Sequence, residues 1–388
     1  MNPTNTFDII VIGAGPAGSM AAQYAAKGGT RVALIERKKK VGIPVRCGEA
    51  IGLKGARSIG FNVDPSWILS EIKKVCMVAP NGTSIEYTGM AESYVVDREL
   101  MDQGLVNRAI KSGVQYFPHC PVISVKPHEN SWYECKGTQG IFKARCIIIA
   151  DGVESSLAKD LGWNTTLKLE DVDCCAFGRI KCSINPDTCY FILGSRITPA
   201  GYLWIFPRGN GYANIGVGVL GSHSTPGKAK ELLFRYVDEH YPDSTLTHIH
   251  CAAAPAGKYL TPLVKDGVMI VGDAARQIIS LTGGGINYSL FAGKTAGRIA
   301  AETFLQHMGN TNYLKKYETI WRKGLGKQQL RSYALKTVLM ESVDDTFLNR
   351  IANSFAGKKP NSLSILKIFL RTFAWKPKAF IKAFLLFR

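Results

Sequence analysis

Residues 7–12 read FDIIVI, a short apolar and β-branched run, and pass directly into Gly13-Ala14-Gly15-Pro16-Ala17-Gly18. An alanine-rich stretch, SMAAQYAAKGG, follows, and then a second strand-like run, TRVALIE, that ends at Glu36. This is a strand, a glycine turn, a helix and a strand, the building unit of an α/β sheet. Each glycine has a physical task in binding a dinucleotide. Gly13 permits the tight turn, Gly15 lets the backbone approach a pyrophosphate, and Gly18 lets the helix lie close to the strand. The helix N-terminus offers free N–H groups and the positive end of its dipole to the phosphates. Glu36 stands where a carboxylate accepts hydrogen bonds from both ribose hydroxyls and repels a 2′-phosphate. The expected ligand is an adenosine diphosphate without that phosphate.

Two later segments narrow the ligand. RCIIIADG (145–152) and GVMIVGDAA (267–275) read as buried strands ending in Asp151-Gly152 and Gly272-Asp273. A carboxylate at a strand's C-terminal end sits at the crevice where open α/β sheets bind ligands. Gly283-Gly284-Gly285-Ile286 then opens a long helical pattern, NYSLFAGKTAGRIAAETFL. For a flavin, that helix dipole would stabilise the negative charge that develops near N1 and the C2 carbonyl on reduction.

The remainder of the chain reads differently. Residues 70–95 and 160–260 are rich in short β-type runs broken by Gly, Asn and Pro, the pattern of an inserted antiparallel sheet. In YLWIFP, alternation puts Tyr202, Trp204 and Phe206 on one face of a strand. Such a stripe serves either as core packing or as the wall of an apolar site. The expected organisation is a discontinuous dinucleotide domain (1–69, 96–159, 261–310), a β-sheet substrate domain (70–95, 160–260) and a C-terminal helical region (311–388).

Charge and cysteine usage exclude other classes. Of the formal +18 carried by 388 residues, +12 lies from Met308 onward, so the body is a nearly neutral globule with a basic tail. The last residues, NSLSILKIFLRTFAWKPKAFIKAFLLFR (361–388), hold six basic residues and no acid among many Phe, Leu and Ile. Lys367 and Arg371, and Lys378 and Lys382, are four apart and share helical faces, with Pro377 breaking the helix between the pairs. That reads as a surface-lying amphipathic element on an anionic membrane, and nothing resembles a nucleic-acid reading module. The alternative is a tail helix packed on the body with its lysines in water. The ten cysteines form no C-x-x-C pair, so neither a metal site nor a disulfide-stapled secreted fold is expected. No window is apolar and uncharged for long enough to span a bilayer. A protein held at the inner, cytoplasmic face of the cell membrane is the expectation.

Taken together, GAGPAG with Glu36, Val96-Asp97-Arg98, Asp151-Gly152, Gly272-Asp273 and the triple glycine are in the order used by flavoproteins of the p-hydroxybenzoate hydroxylase architecture. Within that group the chain resembles the geranylgeranyl reductases. Tyr202-Leu203-Trp204-Ile205-Phe206-Pro207, eight residues and Gly216-Val217-Gly218 match the family's Y-x-W-x-F-P-x(7,8)-G-x-G signature. Val45-Arg46-Cys47-Gly48-Glu49 resembles its cysteine-containing flavin loop. The resemblance implies an FAD-binding Rossmann-like domain of the glutathione reductase type. It implies FAD held by Gly13, Gly15, Ala17 and Gly18 at the pyrophosphate, Glu36 at the ribose, and Cys47 and Gly48 near the flavin. Arg98 would meet the phosphates or ribityl chain, Val122 the adenine, Asp273 the ribityl-phosphate region, and Gly285 and Ile286 the isoalloxazine. Tyr202, Trp204 and Phe206 would line an isoprenoid tunnel.

The implied reaction saturates C=C bonds of geranylgeranyl chains, on an ether-lipid precursor or a prenyl diphosphate, by hydride from reduced flavin N5 with protonation. Cys47 is the first candidate to influence the proton step; the other reading of it is a small residue that shapes the pocket. Reduction of a polyprenyl quinone side chain, an aromatic-hydroxylase-type monooxygenase and a noncatalytic flavin-retaining membrane protein are the competing readings. The external donor, NAD(P)H or ferredoxin, stays open.

Overall fold

The computed structural model describes residues 5–307 and 309–356; the basic tail at 361–388 lies outside the described residues. The described chain divides into two compact units. One comprises 5–45, Arg98–Leu167 and Gly257–Leu330, the other Arg46–Asp97, Lys168–Ala256 and 331–356.

The first unit is built on five parallel strands in the order Gln115–Phe117, Val32–Ile35, Thr6–Ile12, Gly140–Ile149, Val268–Ile270. Val264–Lys265 adds an antiparallel edge, and Val122–His128 with Trp132–Gly137 forms an antiparallel pair on the outer half of Gly140–Ile149. The central strands are near-continuous apolar runs because both faces are covered: Ile9 to Val11 and Ile147 to Ile149 are fully buried.

Two helices cross against one another in this unit, Pro16–Lys27 and Ile286–Leu305. Their contact is made by small residues in step. A Cβ on Gly293 would fall 2.0 Å from the Ala17 carbonyl oxygen, and one on Gly297 would fall 2.1 Å from that of Ala21. Each pair is four residues apart, one helical turn, so the two backbones touch along a full turn. Fully buried Tyr317 and Trp321, on the helix Lys315–Lys323, complete this core.

The second unit is an eight-stranded sheet in the order Thr247–Ala254, Asp173–Lys181, Tyr212–Leu220, Tyr202–Gly209, Thr188–Ile192, Ile68–Val78, Ser84–Val96, Ala50–Gly52. All neighbours are antiparallel except Thr188–Ile192 with Ile68–Val78. One face carries Ile180, Leu203, Ile205, Ile215, Val217 and Val219 against Leu232, Leu233 and Val237 of the helix Lys228–His240. The other face carries Phe177, Trp204 and Phe206.

The mixed α/β architecture with an antiparallel-sheet unit and C-terminal helices is the one expected. The units divide the chain at different places from the expected domains. Residues 46–69 go with the sheet unit, because Ala50–Gly52 and Ile68–Val78 both pair with Ser84–Val96. Residues 160–167 and 257–260 go with the dinucleotide unit, where the Trp163 indole N–H donates to the Pro262 carbonyl at 2.6 Å. Residues 311–330 belong to that unit too, whereas 331–356 join the sheet unit through Lys336 on Asp173 (3.2 Å) and Asp345 on Ser195.

The helix crossing makes a direct prediction. Gly293→Val drives a branched side chain into the Ala17 carbonyl, which is backbone and cannot swing away. The expected loss is about 3 kcal/mol, read by urea denaturation, together with release of bound flavin. A loss below ~0.5 kcal/mol, the range of an ordinary surface change, would show that the helices separate freely.

Candidate active site

In the first unit the glycine turn is shaped by close backbone contacts. Gly13 has φ +100°, and a Cβ there would lie 2.3 Å from the Ala150 carbonyl oxygen. A Cβ on Gly18 would lie 1.8 Å from the Gly13 carbonyl oxygen. Gly15 is the opposite case: no protein atom lies within 4 Å of where its Cβ would stand. It caps the helix Pro16–Lys27, so the free N–H groups of that helix open onto the space beside it.

Glu36 is buried, and its two oxygens accept backbone N–H groups from Ala14 (2.7 Å) and Lys38 (2.9 Å). The carboxylate therefore ties the glycine turn to the end of the second strand while keeping lone pairs for ribose hydroxyls. Val122 is half-buried at the head of its strand, opposite Gly137, and packs on the core of the unit.

Arg98 opens the helix Arg98–Lys111 and binds Asp102 with two parallel hydrogen bonds of 3.0 Å. Its charge also acts on Asp273, in the turn Gly272–Ala275. Burial pushes the Asp273 carboxyl above its ordinary range, and Arg98 offsets part of the rise. Gly285 caps the helix Ile286–Leu305, and its Cβ would be 3.5 Å from Asp273 Oδ1. One carboxylate oxygen thus stands beside the opening of the second helix. Asp151 Oδ1 is buried without a hydrogen-bond partner, and burial raises that carboxyl as well. The open space over Gly15, the two glycine-capped helices and the orphaned Asp151 oxygen fit a bound dinucleotide.

In the second unit the signature strands explain their own sequence. In register, Tyr202 stands opposite Gly218, Trp204 opposite Gly216 and Phe206 opposite Asn214. A Cβ on Gly216 would fall 2.2 Å from Trp204 Cζ2 and 2.5 Å from Phe177 Cβ. Gly216 is the bare position over which the Trp204 ring lies, whereas the nearest atoms to a Cβ on Gly218 are Cys175 Sγ at 3.6 Å and the Tyr202 carbonyl oxygen at 4.0 Å. Positive φ at Gly209, Asn210 and Gly211 closes the hairpin between the strands, which sets the eight-residue spacer. The Tyr202 and Trp204 rings are 6.1 Å apart, Trp204 and Phe206 6.4 Å, and Phe191 lies 5.3 Å from both Tyr202 and Phe206. Burial, then Cys175, Asp173 and Cys47, pushes the Tyr202 phenol up, so it stays protonated at working pH.

Cys47 and Gly48 belong to this second unit. A Cβ on Gly48 would be 3.2 Å from the Phe206 ring and 3.4 Å from Trp204 Nε1, so the loop lies directly on the aromatic stripe. The Cys47 thiol sulfur accepts the Glu49 N–H at 3.2 Å, and Glu49 holds the left-handed φ of 70°. Sequence reasoning missed three side chains here: Glu49, Arg208 and Asn214. Glu49 is fully buried and pairs with Arg208, which is also 3.6 Å from Asp97. Asn214 receives the Trp204 indole N–H at 2.8 Å and donates to Glu49 Oε2 and to the Cys47 carbonyl, each at 3.1 Å. The available signal was position: Arg208 directly follows the YLWIFP run, and Asn214 continues the alternation of Gly216 and Gly218.

These features define an FAD-dependent oxidoreductase with a dinucleotide unit and a separate sheet unit. Residues 7–166 match the pyridine nucleotide-disulphide oxidoreductase family, and residues 171–255 match the geranylgeranyl reductase catalytic domain. The chain is 35% identical to digeranylgeranylglycerophospholipid reductase 1 of Methanococcoides burtonii, over 90% of this chain and 87% of that one. It is 34% identical to digeranylgeranylglycerophospholipid reductase 2 of Methanopyrus kandleri, over 90% of each. A geranylgeranyl bacteriochlorophyll reductase-like crystal structure from Thermoplasma acidophilum superposes with a TM-score of 0.90 at 29% identity, covering 99% of this chain and 100% of that one. A flavin-dependent brominase shares the fold at TM-score 0.71 and 16% identity, covering 90% of this chain and 92% of the other. The chain belongs to the digeranylgeranylglycerophospholipid reductase family.

The raised Asp273 carboxyl has a pH signature in the flavin-free protein. A carboxyl raised by folding leaves stability intact below the unfolded value of 3.8 and removes it as pH rises through the folded value. Asp273→Asn escapes that loss, so its thermal midpoint should equal wild type in acid and exceed it increasingly toward neutrality. Thermal melts across pH ~4 to ~8 read this. A variant no more stable than wild type at neutral pH would overturn it.

Proposed function

We propose that this protein saturates C=C bonds of geranylgeranyl chains carried by a glycerophospholipid precursor. The observation that carries the reading is the aromatic stripe of Tyr202, Trp204 and Phe206, with the Trp204 ring laid over Gly216, in a chain whose relatives are named for this substrate. Bound FAD, once reduced, supplies hydride. Gly13, Gly15, Ala17, Gly18, Glu36, Arg98, Val122, Asp273, Gly285 and Ile286 are the residues proposed to hold it, and the resemblance of the Cys47-Gly48 loop to the family's flavin loop adds those two residues to the proposal.

The remaining work falls to the second unit. The aromatic stripe takes the hydrocarbon, where burial contributes roughly 0.8 kcal/mol per CH₂. An isolated trialkyl alkene is unpolarised, so a proton must be delivered with or before hydride, and Cys47 is the proposed thiol for that step. The polar end of the lipid has a matching feature. His250, 6.3 Å from Phe177, is held below the usual imidazole range by burial and by the charges of Arg46, His248 and Arg179. That local surplus of positive charge suits a phosphate-bearing head group. The donor that recharges the flavin is a nicotinamide nucleotide or a ferredoxin.

Anaerobic incubation of dithionite-reduced holoenzyme with a digeranylgeranyl phospholipid should add one H₂ per saturated bond by mass spectrometry. Arg179→Ala should raise KM for that lipid while leaving an uncharged geranylgeranyl alcohol unaffected. Substrate-dependent oxygen uptake without saturated product would instead establish a monooxygenase.

Among the described residues no helix is long and apolar enough to cross a membrane. Residues 361–388 are proposed to seat the protein on an anionic bilayer, on their sequence alone. The full chain should float with anionic liposomes, and reversal of Lys367, Arg371, Lys378 and Lys382 to Glu should abolish flotation. Flotation that survives the reversal would place the attachment elsewhere.

A further inference from the structure

Two of the three residues opposite the aromatic stripe are glycines, and the third is not. Asn214 faces Phe206 in register, is 3% exposed, and lies in the signature's unspecified spacer. An indole N–H only donates, so the Asn214 amide must turn Oδ1 toward Trp204 Nε1, as it does at 2.8 Å. Its Nδ2 is then committed to acceptors, and both groups it meets are acceptors: the Cys47 carbonyl and Glu49 Oε2. The amide orientation is therefore settled by chemistry from both ends.

Behind Asn214 the anchor is ionic. Glu49 is fully buried and pairs with Arg208, whose side chain is 8% exposed and which also reaches Asp97. Burial lowers Arg208 only to about 10, so it remains a cation at neutral pH beside the Glu49 carboxyl. Glu49 in turn closes the turn beneath Cys47: its N–H goes to the thiol sulfur, and its carbonyl accepts from Val96 at 2.9 Å. The indole plane and the Cys47–Glu49 turn are thus joined through one amide.

We propose that Asn214 is a positioning residue of the reductase site, locking the Trp204 ring and the Cys47 turn as one piece and so deciding which double bond of a bound isoprenoid is reduced first. The inference rests on the reading that Trp204 and Cys47 contact the isoprenoid chain. A core amide that only satisfies its neighbours would affect stability and leave the order of reduction alone.

The test compares Asn214→Asp, Asn214→Ala, Trp204→Phe and Cys47→Ala holoenzymes. Two readouts are used: the distribution of partially reduced isomers after one turnover, and the Trp204 indole N–H signal in ¹⁵N NMR, assigned by its loss in Trp204→Phe. Asn214→Asp keeps the acceptor for Trp204 but sets a carboxylate against the Cys47 carbonyl and Glu49. It should scramble the isomer distribution while the indole signal stays nearly in place. Asn214→Ala should scramble the isomers and also move the indole signal, with indole hydrogen exchange about ten-fold faster, the worth of one buried hydrogen bond.

If Asn214→Asp fails to fold, the exchange pair Asn214→Asp with Glu49→Gln restores donor–acceptor complementarity between the two positions. It should fold with the indole signal recovered, yet leave the Cys47 carbonyl unpaired and the isomers still scrambled. Wild-type isomer distributions in the folded Asn214 variants, alongside altered ones in Trp204→Phe, overturn the inference and leave the functional reading standing. Wild-type distributions in Trp204→Phe and Cys47→Ala as well would remove the premise that these two residues contact the chain, and absence of any saturated product from the wild-type holoenzyme would remove the functional reading itself.

Discussion

The crossing of Pro16–Lys27 over Ile286–Leu305 is the contact on which the dinucleotide unit depends. Both helices begin at a glycine N-cap. Their backbones approach more closely than any side chain at the crossing would allow. Gly293 and Gly297 against Ala17 and Ala21 permit that approach, since even a methyl group on either glycine would overlap a carbonyl oxygen. Gly272 belongs to the same constraint, because its Cβ would fall 2.8 Å from that of Ala17. The strand end bearing Asp273 is thereby set close to the first helix.

The second unit solves a similar problem with strands. A flat indole laid across a sheet needs a neighbour without a side chain, and Trp204 has Gly216. Alternation sorts the rest: Ala213, Ile215, Val217 and Val219 go to the helix-covered face, while Asn214, Gly216 and Gly218 go to the aromatic face. The sheet thus has one face devoted to stability and another kept for aromatic side chains. The buried Glu49–Arg208 pair sits on the second kind of face. A buried ion pair adds little net stability against an apolar replacement, so its value there is in holding a turn in one conformation.

The reading of local elements from sequence succeeded where spacing is set by local geometry. The glycine turn, Glu36, the two strand-end aspartates and the alternation in YLWIFP all follow from periods of helix and strand, and each is found on the expected element. The domain boundaries and the three side chains Glu49, Arg208 and Asn214 did not follow. Residues 46–69 look no more like sheet than like loop until Ala50–Gly52 finds Ser84–Val96, a partner more than thirty positions on.

What the sequence determined by itself is the chemistry of the backbone: where it must turn, where it must present bare N–H groups, and which strand faces are aromatic. Those are properties of neighbours in the chain, written in glycine positions and in periods of two and 3.6 residues. What only the tertiary structure decided is which polar side chains are paired and buried. Glu49, Arg208, Asn214 and Asp97 are scattered over about 165 positions and share no period. Their meeting depends on strand register across a sheet, and register is fixed by packing that no local pattern encodes.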